Sequence, residues 1–226
     1  MDETPHVQGG RPAMAICYDF DRTLSPDDMQ AQGFIQSLGV EVPEFWNMVT
    51  ELTRSKQMDA IQAYMYLMLK AAPPGTPPVT RARLQAFGAK VRLYPGVEGW
   101  FARINARAEA LGIEVAHYVI SSGLEEMIEG TPIHSCFRRV YANRYLYDDK
   151  GQAVWPALSI NYTNKTQFLF RISKGVLDES DERVNDRYSE ENLAVPFANF
   201  VYLGDSRTDV PSMKIITSHQ GTRSEE

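Results

Sequence analysis

Cysteine is scarce: the 226-residue chain has two, Cys17 and Cys136. That is too few for a disulfide framework or a four-cysteine zinc site, and both read as small buried hydrophobes of a reducing compartment. Positive charge is not in excess either. There are 23 Lys+Arg against 29 Asp+Glu, a net charge of −6, which argues against a nucleic-acid partner, because such binders carry a basic face. No apolar run reaches the roughly 20 residues of a membrane-spanning helix. Met1–Arg11 is polar, with no secretory signal, and no repeat or low-complexity tract is evident. These absences point to a cytoplasmic protein that uses neither membrane nor nucleic acid, acting as a monomer or homodimer.

What is present is ordinary for a folded chain: 43% hydrophobic and 23% charged residues, which excludes disorder as the overall state. The length suits one large domain or one domain with an insertion. Met14–Phe20 reads as a buried strand running into polar residues. Glu114–Ser121 and Phe200–Leu203 are further apolar strands. Arg138–Tyr147 and Ala153–Asn161 flank a hairpin turn at Asp148-Asp149-Lys150-Gly151. Helices are expected near 28–38, 43–55, 80–90, 97–111 and 166–174. Another carries Met58, Ile61, Met65, Met68 and Ala72 at spacings of three and four. Pro73–Pro78 must be a loop, and Asp178–Glu191, with seven acids and two arginines, a solvated face or loop.

Strands alternating with helices predict an α/β fold with a mainly parallel, Rossmann-like sheet. The helical block interrupts that alternation and is too long for an ordinary loop. The expected organisation is a core of residues 12–24 and 93–226 with a helical cap inserted at 25–92. Ligands of such sheets bind beyond the carboxyl ends of the strands, so the polar groups there carry the chemistry.

Asp19 and Asp21 follow the first strand at alternate positions, which share a face on extended backbone. Paired carboxylates attract a hard cation, and one can attack while the other handles a proton. An Asx-rich turn is the plainer alternative. Gly204, Asp205 and Asp209 follow the last strand and supply further oxygens, or simply a turn and a helix cap. Ser121 and Ser122 end a strand, where a hydroxyl and backbone N–H groups can hold a phosphate or merely cap a helix. Lys165 opens a helix against its dipole, with Lys174 at the other end as a competing candidate.

Taken in order, Asp19-Phe-Asp21-Arg-Thr23, Ser121, Lys165 and Gly204-Asp205-Ser-Arg-Thr-Asp209 resemble the haloacid dehalogenase-like hydrolase superfamily. Within it the chain is similar to the phosphoserine phosphatase-like branch with a helical cap. The resemblance covers roughly residues 14–213. It implies a Mg²⁺-dependent phosphatase acting on a small phosphorylated metabolite through an aspartyl-phosphate. By that resemblance Asp19 is the nucleophile and Asp21 the acid and base. Asp19, Asp21 (through its carbonyl), Asp205 and Asp209 hold Mg²⁺. Thr23, Ser121, Ser122 and Lys165 serve the substrate, Thr23 by bracing the loop.

Two features depart from the family pattern. Arg22 replaces a small residue, and only 17 residues follow Asp209, where the family adds another strand, so either a shortened form or an early end to the sheet is expected. A phosphotransferase or phosphomutase, or a non-catalytic phosphate-binding module, would share these motifs. A dehalogenase is disfavoured, since carbon–halogen displacement has no use for the second acid. The expected cap holds Met29, Met48, Met58, Met65 and Met68, either as core or as an adaptable pocket lining. Arg54 and Lys56 are its candidate anion-binding residues, and the cap is expected to close over the site.

Overall fold

A computed structural model describes residues 13–71 and 73–224. The polar N-terminus, Ala72 of the methionine stripe and the outer limits of the expected core, 12 and 225–226, lie outside the described residues. Strand β1, Ala13–Tyr18, sits inside a six-stranded sheet of order β4-β3-β2-β1-β5-β6. Its neighbours are β2, Glu114–Leu124, and β5, Phe200–Leu203, both parallel to it. Beyond β2 lies β3, Arg139–Tyr147, also parallel, and then β4, Ala153–Leu158, which pairs antiparallel through the hairpin. Beyond β5 comes β6, Thr222–Ser224. These three residues supply the strand that the length after Asp209 made doubtful, so the sheet does not end at β5.

The alternation of β1 decides how the sheet is covered. Ile16 and Tyr18 enter one core and Ala15 and Cys17 the other, as the period of two requires. The second core is closed by α6, Lys165–Lys174, through Phe168, Leu169 and Ile172, and by α7, Val210–Ser218, through Met213 and Ile216. The first is continuous with α1 (Val42–Lys56), α2 (Ala60–Lys70), α3 (Arg81–Gly88), α4 (Val97–Ala110) and α5 (Glu125–Gly130). Asp59 and Thr80 cap α2 and α3 with their side chains, satisfying orphan donors of the first turn.

Two expectations are corrected. Residues 28–38 form no α-helix, only 3-10 turns at Met29–Ala31 and Gln36–Leu38. Gly33 at φ 119° places positive-φ backbone within the segment and Gly39 at φ 76° directly after it, which a right-handed helix cannot contain. And β2 does not stop at Ser121 but continues to Leu124 through an irregularity between Ile120 and Leu124. Four steps of β2 there match two of β3, the signature of a bulge, and Ser121, Ser122 and Gly123 occupy it.

The order of the strands reverses at β1: β2 and β3 are laid down to one side, β5 and β6 to the other. A crevice opens at such a switch point beyond the carboxyl ends, and Asp19 stands there.

Candidate active site

The backbone N–H of Asp19 donates to the Leu203 carbonyl at 2.8 Å, which ties the end of β1 to β5. Its carboxylate accepts from the Phe20 N–H at 2.8 Å and lies 3.3 Å from the Lys165 ammonium. Lys165 is wholly buried and also donates to Asp209 Oδ1 at 2.7 Å. Two carboxylates thus explain a cation at the start of a helix, where the dipole alone opposes it. Lys174 is not in the site; its ammonium donates to the carbonyls of Val184 and Asp186, 2.7 Å each.

Asp209 is saturated. Its Oδ1 also accepts from Tyr202 Oη at 2.8 Å, and its Oδ2 from the Ser206 N–H at 3.0 Å and hydroxyl at 2.7 Å. A Cβ on Gly204 would stand 2.7 Å from the Asp209 Cγ, so only glycine lets the loop fold this closely. Asp205 remains exposed. Oxygens of Asp19, Asp205 and Asp209 lie within 4.8 Å of one another, and a set of oxygens alone suits a hard divalent cation. The Asp21 carboxylate is not part of that group.

The bulge in β2 shapes the other wall. Ser121 Oγ accepts from the Gly123 N–H at 3.1 Å, and its hydroxyl acts to lower the Asp19 carboxyl pKa. Ser122 Oγ is buried and makes no hydrogen bond among the described residues. The Ser122 carbonyl accepts from Tyr64 Oη at 3.0 Å and Asn143 Nδ2 at 2.5 Å. Asp21 accepts from the Met29 N–H at 2.9 Å, and a Cβ on Gly123 would come within 3.0 Å of Asp21 Oδ2 and 2.4 Å of Met29 Cε.

Burial and charge set the protonation of these acids. Burial pushes the Asp19 carboxyl up to about 6, against the opposing pull of Lys165. Burial, then the charges of Asp19 and Asp28, hold the Asp21 carboxyl well above the ordinary range, which favours its protonated form. Burial also works against the Asp209 carboxylate, but Lys165 and the donors of Ser206 and Tyr202 outweigh it and keep it low.

Asp19, Asp21, Ser121, Ser122 and Asp205 line one cavity of about 340 Å³. Lys165 and Asp209 lie beneath its floor. Thr23 is not brought to it. It lies beside a neighbouring cavity with Leu24, Pro95 and Trp100, its hydroxyl buried and without a hydrogen bond among the described residues. Arg54 and Lys56 are not brought there either. Arg54 faces a separate surface cavity with Asn47 and Glu51, about 140° around α1 from Val49 at 100° per residue. Lys56 lies about 10 Å further along the axis than Val49. Met29, Met65 and Met68 are core. The roof is instead Trp46 and Val49 of α1 with Ala60, Ile61 and Tyr64 of α2. Ile61 stood on the predicted stripe. Trp46 and Asn143 carried no signal in the sequence, since their partners are 18 and 79 residues away from them along the chain at Tyr64.

The model of haloacid dehalogenase-like hydrolases matches residues 16–214, nearly the whole described chain. The chain belongs to this hydrolase family. Among relatives, an uncharacterised protein of Borreliella burgdorferi is 28% identical over 229 residues, spanning 91% of this chain and 79% of that one. Solved structures share the hydrolase fold. A substrate-bound phosphoserine phosphatase complex has a TM-score of 0.60 at 13% identity, with 96% of this chain and 94% of that one covered. A phospho-aspartyl intermediate analogue of phosphoserine phosphatase has a TM-score of 0.58 at 13% identity, with 96% and 95% covered. A HAD-family hydrolase from Salmonella enterica serovar Typhi has a TM-score of 0.60 at 18% identity; the match covers 90% of this chain but only 60% of that longer one. No helix among the described residues is long and apolar enough to cross a membrane.

Proposed function

We propose that this hydrolase is a phosphatase of a small phosphorylated metabolite, with Asp19 as nucleophile. The observation that carries the reading is the Asp19 carboxylate, fixed at the switch point of the sheet. It has Lys165 3.3 Å away, Asp205 beside it and Ser121 lining the same cavity. A carboxylate oxygen attacks phosphorus, the bond from phosphorus to the ester oxygen breaks, and Asp21 gives its proton to the departing alkoxide. Asp21, now ionised, takes a proton from water as the water oxygen attacks phosphorus. Phosphate leaves and Asp19 is restored. A phosphoserine phosphatase of this fold seen as a phospho-aspartyl intermediate analogue supports an aspartate in that role.

The acidic cluster fits a magnesium ion. Asp19 and Asp205 have oxygens within 4.8 Å of one another, with the Asp21 carbonyl added by family resemblance, while Asp209 has both oxygens committed and positions Lys165 and Ser206 instead. When bound, Mg²⁺ supplies charge neutralisation to the transferring oxygens. The Lys165 ammonium and the Ser121 and Ser122 hydroxyls hold the phosphoryl group, Ser122 offering a buried oxygen that has no hydrogen-bond partner among the described residues.

Turnover of a small phosphomonoester, followed by phosphate release, tests the reading. Asp19→Asn is expected to abolish it with the fold intact, because an amide does not attack phosphorus. Chelation with EDTA is expected to stop it and Mg²⁺ to restore it. Retention of more than about a tenth of wild-type kcat, roughly 1.4 kcal/mol of barrier, would remove Asp19 from the role.

A further inference from the structure

The walls of the cavity differ sharply in character. Its floor is acidic and polar, but its roof is Trp46, Val49, Ala60, Ile61 and Tyr64. The rings of Trp46 and Tyr64 meet edge to face, centroids 6.0 Å apart at 73°. The Tyr64 hydroxyl is spent on the Ser122 carbonyl and Asn143, so what Tyr64 offers the cavity is its ring. Among the described residues lining the cavity there is one cation, Arg22. Its guanidinium is paired with Asp28 at 3.1 Å. Lys165 lies below the floor, already shared between Asp19 and Asp209.

A phosphate ester placed with its phosphorus at Asp19 must send its alcohol toward this roof. A carboxylate on that alcohol would lose water against aromatic and aliphatic surface and find no uncommitted cation, and unpaired charges are costly to bury. The remaining side of the cavity, with Asp21, Asp28 and Asp205, would repel it. An apolar alcohol meets the opposite conditions: its surface leaves water against matching surface.

We propose that the substrate is a phosphate monoester whose leaving alcohol carries no carboxylate or second phosphate and packs an apolar or aromatic face against Trp46, Val49, Ile61 and Tyr64. This inference rests on the phosphatase reading. It sets the chain apart from the phosphoserine phosphatases that share its fold, whose substrate carries a carboxylate.

The test compares esters of primary alcohols: methyl, n-butyl and benzyl phosphate against O-phosphoserine and 3-phosphoglycerate, whose better leaving groups work against the expected order, with Mg²⁺ at one pH. The kcat/KM of butyl and benzyl phosphate is expected to exceed that of both carboxylate esters at least tenfold. Trp46→Ala is expected to raise KM for benzyl phosphate about tenfold more than for methyl phosphate, whose alcohol does not reach the roof. Trp46→Phe, which keeps an aromatic face, should recover most of that. Equal or faster turnover of phosphoserine or 3-phosphoglycerate overturns the inference, and so does a Trp46→Ala effect that is the same for methyl and benzyl esters. If no ester is hydrolysed, methyl phosphate included, the phosphatase reading is what has failed. Calorimetric binding of benzylphosphonate and phosphoserine to the same protein then still decides the roof's preference, tighter benzylphosphonate supporting it and tighter phosphoserine overturning it.

Discussion

Lys165 holds two buried carboxylates at once, Asp19 and Asp209, and neither is ion-paired with a second cation among the described residues. Removing one partner of a buried ion pair leaves an uncompensated charge, which typically costs about 3–5 kcal/mol, more than the pair itself contributes. Lys165→Met is therefore expected to destabilise the protein by roughly that amount in urea unfolding. Adding Asp209→Asn removes one stranded charge, so the double variant should lose less than the sum of the two single changes, by about 1–3 kcal/mol, as expected for residues in one network. Additive losses would show that Lys165 and Asp209 are not energetically coupled. At this scale the sequence was legible wherever a polar residue follows an apolar strand: Asp19, Ser121 and Asp205 announce themselves by position. Lys165 against Lys174 was not decidable, because both are basic residues of one helix and only the third dimension shows which of them reaches Asp19.

Helix α3, expected from the sequence, and helix α5, which the sequence reading missed, meet through their glycines. A Cβ on Gly88 of α3 would lie 1.9 Å from the Met127 carbonyl oxygen of α5, and one on Gly130 of α5 would lie 2.0 Å from the Gln85 carbonyl oxygen of α3. The neighbour in each case is backbone and cannot turn aside. Neither glycine has a positive φ, so helix propensity alone favours alanine there by about 0.5–1 kcal/mol. The crossing reverses that sign. Gly88→Ala and Gly130→Ala are each expected to destabilise by about 1–3 kcal/mol, the usual cost of overpacking, and a gain in denaturation midpoint would refute the close crossing. The periodicity of α1 and α2 could be read from apolar spacing, but which of their residues roof the site could not. Nor could the bulge at Ser121–Gly123, which appears only when β3 is laid beside β2 and the register slips. The turns at 28–38 escaped for a related reason: the segment is held by Met29 donating to Asp21, a contact with the site rather than a local preference.

The whole molecule is tied across its layers by a polar chain that takes no part in lining the cavity. Trp100 Nε1 of α4 donates to Tyr18 Oη of β1 at 2.8 Å. Tyr18 Oη and His117 Nδ1 of β2 are 2.9 Å apart, and His117 Nε2 is 2.9 Å from Asn105 Oδ1 of α4. Every member is satisfied if Tyr18 donates to Nδ1 and the ring keeps its proton on Nε2, which requires a neutral imidazole. Burial lowers the His117 pKa from 6.5 to about 4. An unfolded chain takes up that proton near pH 6.5, while the folded one resists it until about pH 4. Between those values the unfolded state holds more protons, so this group's stabilisation is full above pH 6.5 and is lost as pH falls toward 4. Its size is at most about 3 kcal/mol, less where solvent screens the ring. The raised carboxyls act in the opposite sense: Asp19, moved upward to about 6, favours the folded state as pH falls, so the wild-type profile alone would mix the two. Comparison with His117→Gln separates them. The stability difference between wild type and His117→Gln, measured by urea unfolding, is expected to shrink by about 2–3 kcal/mol from pH 7 to pH 4. A difference that stays constant with pH would mean that His117 titrates alike in both states, and one that grows as pH falls would mean that it is charged in the folded protein; in either case the chain from Trp100 to Asn105 would need another arrangement of protons.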